Sequence, residues 1–302
     1  MSITVQEAAD AWLVRLETRR RKPAKPATIN TFRSYIRAHI GAIGQQEIAS
    51  FGNAQMRDFV AHLSEKKLAP KTIMEVSNAV RRIISSVVDA EGDEVFPRKW
   101  NSEFIDAPIV EKQNTPTVTS AEIERAITKA SEVDAALYVL LAASGLRIGE
   151  ALALRIGPSE TSSCFYNNVV IIRTSVWRRT EQDPKTVAAH RTVELSGPAA
   201  KYLAEFANGR DGFAFGNGTA PSESAFRDHL SGIGIQGFHA FRRWRTTWLR
   251  KNRVQEDLIR WWLGHSDGSV TDGYSKLSED VEYRREVAEK VGIGFNVTGL
   301  VR

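Results

Sequence analysis

What most restricts the fold of this chain is how little of it can be strand. Clear β signals occur only between residues 169 and 195: a run VVIIRTSVW, a polar turn around 178–183, and a second run RTVEL. That much strand builds an antiparallel hairpin or one small sheet, and helices must supply the rest of the 302 residues. The expected fold class is therefore mainly α with a small antiparallel β hairpin or sheet, an α+β arrangement.

Helical periodicity organises the first hundred residues. Thr4 and Glu7 stand at capping-box spacing, and Trp12, Leu13 and Leu16 recur on one face behind them. After a Pro-containing basic segment, a second helix is expected over 28–39, stopped by Gly41; a third starts near 53 and a fourth spans 72–90. The fourth carries Ile73, Val76, Val80, Ile83, Ile84 and Val87 as an apolar stripe. Residues 92–119 lose periodicity and hold Pro97, Pro108 and Pro116, which marks a linker or an ordered crossover. Beyond it, Thr119 and Glu122 repeat the capping-box spacing, a very apolar helix is expected over 133–143, and 223–289 reads as mainly helical. The predicted division is a helical domain over 1–107 and a second domain, with the strands, over 108–302.

Composition narrows the function classes. Hydrophobic residues make up 42%, enough for a core in each domain, yet no run approaches the length of a bilayer span. The N-terminus is polar and amphipathic, unlike a signal peptide, so a cytoplasmic protein with no membrane partner is expected. A single cysteine, Cys164, excludes an internal disulfide and a multi-cysteine zinc site. The net charge of +5 is modest, but its distribution is uneven. Arg19, Arg20, Arg21, Lys22 and Lys25 form one basic run. Arg242, Arg243, Arg245, Arg250, Lys251 and Arg253 form a second, with no acidic residue between Asp228 and Glu256. Such clusters can neutralise phosphates and release counterions, although a solvated helix face has the same composition.

Four segments of the second half carry residues suited to chemistry. In Ser144-Gly-Leu-Arg147-Ile-Gly-Glu150 an arginine sits between two helix ends, where it can point into a groove or simply pair with Glu150. Lys185 lies in the loop between the strand signals, where a hairpin could carry it onto a substrate. His239 and Arg242, three apart, share a face at the start of the basic helix, and a helix N-terminus favours a phosphate. Finally Leu263-Gly-His265 marks a break after a Trp-rich helix, and Tyr274 follows nine residues after His265. Each alone has an ordinary structural explanation.

Together the four segments resemble the catalytic domain of the tyrosine recombinases, the phage-integrase family. That family has an arginine in a T/S-G-L-R-x-G-E turn, a lysine on a hairpin, an H-x-x-R pair, an L-G-H box and a tyrosine nine residues beyond that histidine. Arg147, Lys185, His239 with Arg242, His265 and Tyr274 fill those slots in order. The segment after Leu154 lacks the usual strand opening, so the first strand is expected to start late; Arg178, Arg179 and Arg191 are further basic residues near Lys185.

The resemblance implies a helical N-terminal core-binding domain joined to a tyrosine-recombinase catalytic domain. It implies an enzyme that cuts and rejoins double-stranded DNA at specific recombination sites through a 3′-phosphotyrosyl ester on Tyr274, without metal, ATP or other cofactor. Arg147 and Arg242 would clamp the non-bridging oxygens. His239 would accept or return the tyrosine proton, His265 would hydrogen-bond a non-bridging oxygen, and Lys185 would protonate the departing 5′ oxygen. Arg19, Arg20, Arg21, Lys22, Lys25, Arg243 and Arg245 are the expected DNA contacts. Four protomers on two sites, accessory DNA-bending proteins, nucleoid association and a phage or other mobile element belong to the same expectation. The tail over 292–302 would dock on a neighbour or pack on its own domain. Three other readings compete: relaxation of DNA in the manner of a type IB topoisomerase, a non-catalytic DNA-binding regulator on the same fold, and a metal-dependent hydrolase. The last is poorly served, because His239 and His265 lack HExxH spacing and no carboxylate cluster accompanies them.

Overall fold

The computed structural model describes residues 2–21, 23–110, 115–184, 186–265 and 279–297. The chain divides into two compact units, residues 1–114 and 115–302.

The first unit is helical. α1 (Val5–Thr18) starts at Thr4, whose hydroxyl accepts from Glu7 N while the Glu7 carboxylate accepts from Thr4 N. α2 (Pro26–Ala38) begins two residues before its expected start, because Pro26 has the fixed φ and missing N–H that suit a first helical position. α3 (Asn53–Glu65) and α4 (Pro70–Ser85) follow. The α4 stripe of Ile73, Val76, Val80, Ile83 and Ile84 is buried against α1 and α3. α4 ends short of 90, because Ser86 Oγ donates back to Ile83 O and Arg15 Nη1 donates to Ser86 O. The chain then reverses, and Val95 N bonds Val87 O. Residues 92–110 take the ordered alternative. Arg98 donates to the carbonyls of Ile48, Ala49 and Phe51, and Ile105 of the short α5 (Ser102–Ile105) is in the core.

In the second unit α6 (Ser120–Lys129) opens on the Thr119–Glu122 capping box. α7 (Glu132–Ser144) is buried on every side over 135–144, which is why it shows no amphipathic face. α8 (Ile148–Leu152) precedes the strands β1 (Arg155–Ile156), β2 (Cys164–Tyr166), β3 (Val169–Ile172), β4 (Ser175–Trp177), β5 (Thr180–Gln182) and β6 (Arg191–Glu194). One sheet has the order β1-β2-β3-β6, with β1 parallel to β2 and the other pairs antiparallel; β4 and β5 form a separate hairpin. The pairing of β3 with β6 is the expected one. The first strand does not start late as expected: β1 follows Leu154 directly, two residues long and held by Arg155 N to Ser163 O and Ile156 N to Gly212 O, bonds to remote backbone that no local pattern announces. The run VVIIRTSVW is also broken at Arg173-Thr174. There Ser163 Oγ accepts from both Arg173 N and Thr174 N, drawing that backbone out of the ladder.

α9 (Gly197–Ala207), α10 (Glu223–Gly232), α11 (His239–Lys251), α12 (Glu256–Leu263) and α13 (Val281–Val291) complete the unit. α6, α9 and α11 all pack on α7, which makes it the axis of the core. The tail lies on its own unit as far as Val297. Ile293, Phe295 and Val297 are buried, and Trp248 Nε1 donates to Val291 O. The fold is mainly α with small sheets, as expected. Among the described residues no helix is long and apolar enough to cross a membrane.

Candidate active site

The site forms where the end of α7, the start of α11 and the end of α12 meet. α7 closes on Gly145 at φ +71°, a left-handed cap that only a residue without Cβ adopts freely. A Cβ there would also lie 2.8 Å from Leu263 Cδ2, so the glycine lets the two turns touch. Two residues on, Arg147 is the N-cap of α8. Its N–H donates to Glu150 Oε2 (3.0 Å) and its Nη1 to Glu150 Oε1 (2.7 Å). This pairing leaves the side chain 27% exposed, with Nη2 reaching toward Gly264 O at 3.4 Å. A structural pairing and an open guanidinium edge thus coexist in one residue.

Arg242 lies one turn into α11 and is 7% exposed. Its Nη1 donates to Gly145 O (2.8 Å), and its Nη2 to Leu263 O (2.6 Å) and His265 Nε2 (2.9 Å). A guanidinium only donates, so His265 Nε2 is the acceptor; its imidazole is neutral with the proton on Nδ1. Burial, reinforced by Arg147 nearby, pushes Arg242 down to about 10, which leaves it charged at neutral pH. Among the described residues its hydrogen bonds go to two carbonyls and an imidazole, not to a carboxylate.

His239 opens α11, where its neighbours are cationic. Partial burial, then Arg242, Arg243 and Arg147, hold its pKa below the ordinary 6.5. His265 is lowered in the same way, by burial and then by Arg242, Arg147, Arg191 and Arg260. The structure therefore joins Arg147, Arg242 and His265 around the Gly145 and Gly264 turns, and sets His239 in the field of the same two guanidiniums. Lys185, Tyr274 and Lys22 lie outside the described residues.

The expected DNA contacts divide. Arg19, Arg20 and Arg21 are exposed, and Lys25 is half-buried as the N-cap of α2. Arg243 is half-buried and donates to Pro116 O at 2.6 Å. Arg245 is placed otherwise than expected: it is 4% exposed and donates to Gly292 O at 2.7 Å. One turn beyond Arg242, it faces the tail, and its guanidinium caps the end of α13 instead of meeting a phosphate. Arg178 and Arg179 occupy the tip between β4 and β5, both at positive φ (+48° and +64°).

Two residues with no functional assignment from sequence prove central to the site, Glu150 and Arg191. Glu150 is 2% exposed. Burial drives its carboxyl upward, but Arg191 and Arg147 outweigh that and hold it below the usual carboxylate range. Arg191 is fully enclosed, so it is not a substitute for an exposed lysine on the hairpin. A motif-based signal existed for Glu150, which ends the Ser144–Glu150 segment. None existed for Arg191, two of whose three partners, Glu150 and Trp262, are remote in sequence. Among the described residues no group of three or more His, Cys, Asp or Glu side chains is placed to hold a metal ion.

The sequence matches the model of the phage integrase family over residues 116–280, more than half of the chain. Among solved structures the chain is similar to the integrase of transposon Tn1549 in complex with a circular intermediate DNA. Identity is 18% and the TM-score 0.69, over 88% of this chain and 92% of that one. It is also similar to lambda integrase, solved as a dimer bound to a COC′ core site (12% identity, TM-score 0.62, 90% of this chain and 77% of that one). A lambda integrase tetramer bound to a Holliday junction is similar at 12% identity and a TM-score of 0.61, with 90% and 77% covered. At these identities the likeness is one of fold. No curated protein matches the sequence significantly.

Proposed function

The chain belongs to the phage integrase family of tyrosine recombinases, and on that premise we propose that it cuts and rejoins double-stranded DNA at specific sites through a 3′-phosphotyrosyl ester on Tyr274. The observation that carries this reading is Arg242. A guanidinium this deeply buried, with no carboxylate on it among the described residues, is costly in a resting protein and becomes favourable when an anion completes it. Arg147, held open-edged by Glu150, supplies a second planar fork to the same anion, and both stay charged throughout.

The Tyr274 oxygen attacks phosphorus and the bond to the 5′ oxygen breaks, so the energy of the diester is kept in the enzyme ester. The phenolic proton passes to His239, and the departing 5′ oxygen takes a proton from Lys185. His265, with Nε2 occupied by Arg242, offers Nδ1–H to a non-bridging oxygen. Religation by a different 5′ hydroxyl reverses these steps and completes strand exchange. The helical unit over 1–114, with Arg19, Arg20 and Arg21 exposed, acts as the core-binding clamp on the duplex. Four copies act on two sites, as the lambda integrase structure on a Holliday junction suggests for this fold.

The test uses suicide duplexes, nicked beside a cleavage position of randomised sequence, in buffer containing EDTA. A covalent adduct that survives denaturant is expected, and after nuclease trimming the residual nucleotide maps to Tyr274 by mass spectrometry. Non-covalent binding alone, or a nucleotide on Tyr283, overturns the proposal.

The acid limb of the reaction follows from the imidazoles. His239 must be neutral to accept a proton, and its pKa lies below the ordinary 6.5. The neutral form therefore still predominates at pH 6.5, and the acid limb of single-turnover adduct formation should have its midpoint below that value. An acid-limb midpoint above pH 6.5 would contradict His239 as the base.

A further inference from the structure

We propose that Arg191 is a positioning residue that fixes the spacing between the Arg147 turn, the His265 turn and the loop after Lys185. The assignment rests on the strand-cleavage reading given above. Arg191 is the first residue of β6, and its side chain has no exposed surface. Each of its three bonds goes to a different part of the site. Nε donates to Trp262 O (2.8 Å), in the last turn of α12, two residues before Gly264. Nη1 donates to Ala189 O (2.8 Å), at the end of the single 3₁₀ turn over Val187–Ala189 that follows Lys185. Nη2 donates to Glu150 Oε2 (2.9 Å), the carboxylate whose other oxygen holds Arg147 Nη1 at 2.7 Å.

The turn that presents His265 is also shaped around this guanidinium. Gly264 sits at φ +63°, and a Cβ on it would lie 2.6 Å from Arg191 Nη1. Since Arg191 is pinned by three bonds, it could not swing aside to admit one. The backbone of the turn and the plane of Arg191 are therefore in direct apposition, and the carbonyl of that glycine is the one Arg147 Nη2 approaches.

The chemistry explains why the residue is an arginine. Only a planar fork directs donors to three separate acceptors in one plane. A lysine would keep the charge opposite Glu150 and lose the directed bonds to Trp262 and Ala189. An apolar residue would leave Glu150 buried with Arg147 alone. Because Arg191 is enclosed and its charge is met by Glu150, it does not touch the phosphate; it acts through Arg147 and His265. Reactions that depend on orientation lose about 10²-fold when a catalytic group is misplaced by about 1 Å.

The experiment takes duplexes captured by the wild type from the randomised pool and uses one of them as a fixed suicide substrate. Wild type, Arg191→Lys and Arg191→Met are compared at saturating protein for three quantities: affinity for the duplex, amplitude of covalent capture, and rate constant of capture. Amplitude counts the folded molecules, whereas the rate constant reports the geometry within them. Arg191→Lys is expected to bind with unchanged affinity and full amplitude, with a rate constant about 10²-fold lower. Arg191→Met should be at least as slow. Should the methionine variant fail to fold, the lysine variant carries the test, since it retains a cation against Glu150. A wild-type rate constant in Arg191→Lys, whatever its amplitude, overturns the positioning role and reduces Arg191 to a stabilising residue. Wild type that captures no duplex covalently overturns the strand-cleavage reading itself and this assignment with it, so the two failures are told apart by the wild-type lane.

Discussion

Arg242→Ala is expected to slow covalent capture of a DNA strand by about 10³-fold, at the upper end of what one charge-stabilising donor contributes, with little change in affinity for the duplex. The size follows from what Arg242 does in the structure. It is 7% exposed, so it would act on a phosphate in a poorly screened environment, where a charge is worth far more than in water. It also joins the site together, donating to Gly145 O, Leu263 O and His265 Nε2. Alanine would remove the charge and leave two buried carbonyls without their donor, at about 1–3 kcal/mol for each group. Arg242→Lys keeps a charge but cannot span acceptors on two turns, so it should remain severely slowed. Arg147→Ala should lose about 10²-fold, because Arg147 is more exposed and shares its charge with Glu150. Single-turnover capture on a suicide duplex, read beside a binding isotherm, checks all three. An Arg242→Ala rate constant near that of the wild type would remove Arg242 from the reaction.

The largest effect on folding should come from Glu150→Ala. This carboxylate is the anion common to Arg147 and Arg191, and its removal leaves a fully enclosed guanidinium with no counter-charge among the described residues. Breaking a buried pair from one side costs about 3–5 kcal/mol. For a unit of this size that corresponds to a fall in Tm of about 10 °C, measurable by calorimetry. Glu150→Gln retains an acceptor and should cost less. The pH dependence gives a second signature. The folded pKa of Glu150 lies below its ordinary 4.5, so its contribution is present above that value and is lost as pH falls through the depressed folded value. Glu150→Gln should lose that component of acid destabilisation. A Tm for Glu150→Ala equal to the wild type would mean that Arg191 finds another anion.

The legible features of this chain are the short-range ones. Thr4 with Glu7 and Thr119 with Glu122 form the capping boxes that their spacing announces, because a cap needs only residues three apart. The stripe of α4 is buried as its period requires. Where α4 stops was not legible, since beside the local bond from Ser86 Oγ to Ile83 O the end is held by Arg15, which lies 71 residues away from Ser86. The same divide runs through the site. Arg147, His239, Arg242 and His265 were nominated by motif, and the structure shows how their turns meet. Arg245 was nominated by charge alone, and burial against the tail gives it a different task.

The sequence by itself therefore determined the helical class, the capping boxes that start α1 and α6, and which residues, including Tyr274 and Lys185, are nominated for the proposed chemistry. Those properties depend on side-chain type and on spacings of three to nine residues. Only the tertiary structure decided which arginines are open to an anion and which are enclosed. Arg191 meets Glu150 across 41 residues and Trp262 across 71, and Arg242 meets Gly145 across 97. A guanidinium becomes a catalytic clamp or a buried tie according to the acceptors around it. Most of those acceptors are backbone carbonyls, which every residue carries and no sequence pattern distinguishes; the others, the Glu150 carboxylate and the His265 imidazole, are brought there from 41 and 23 residues away.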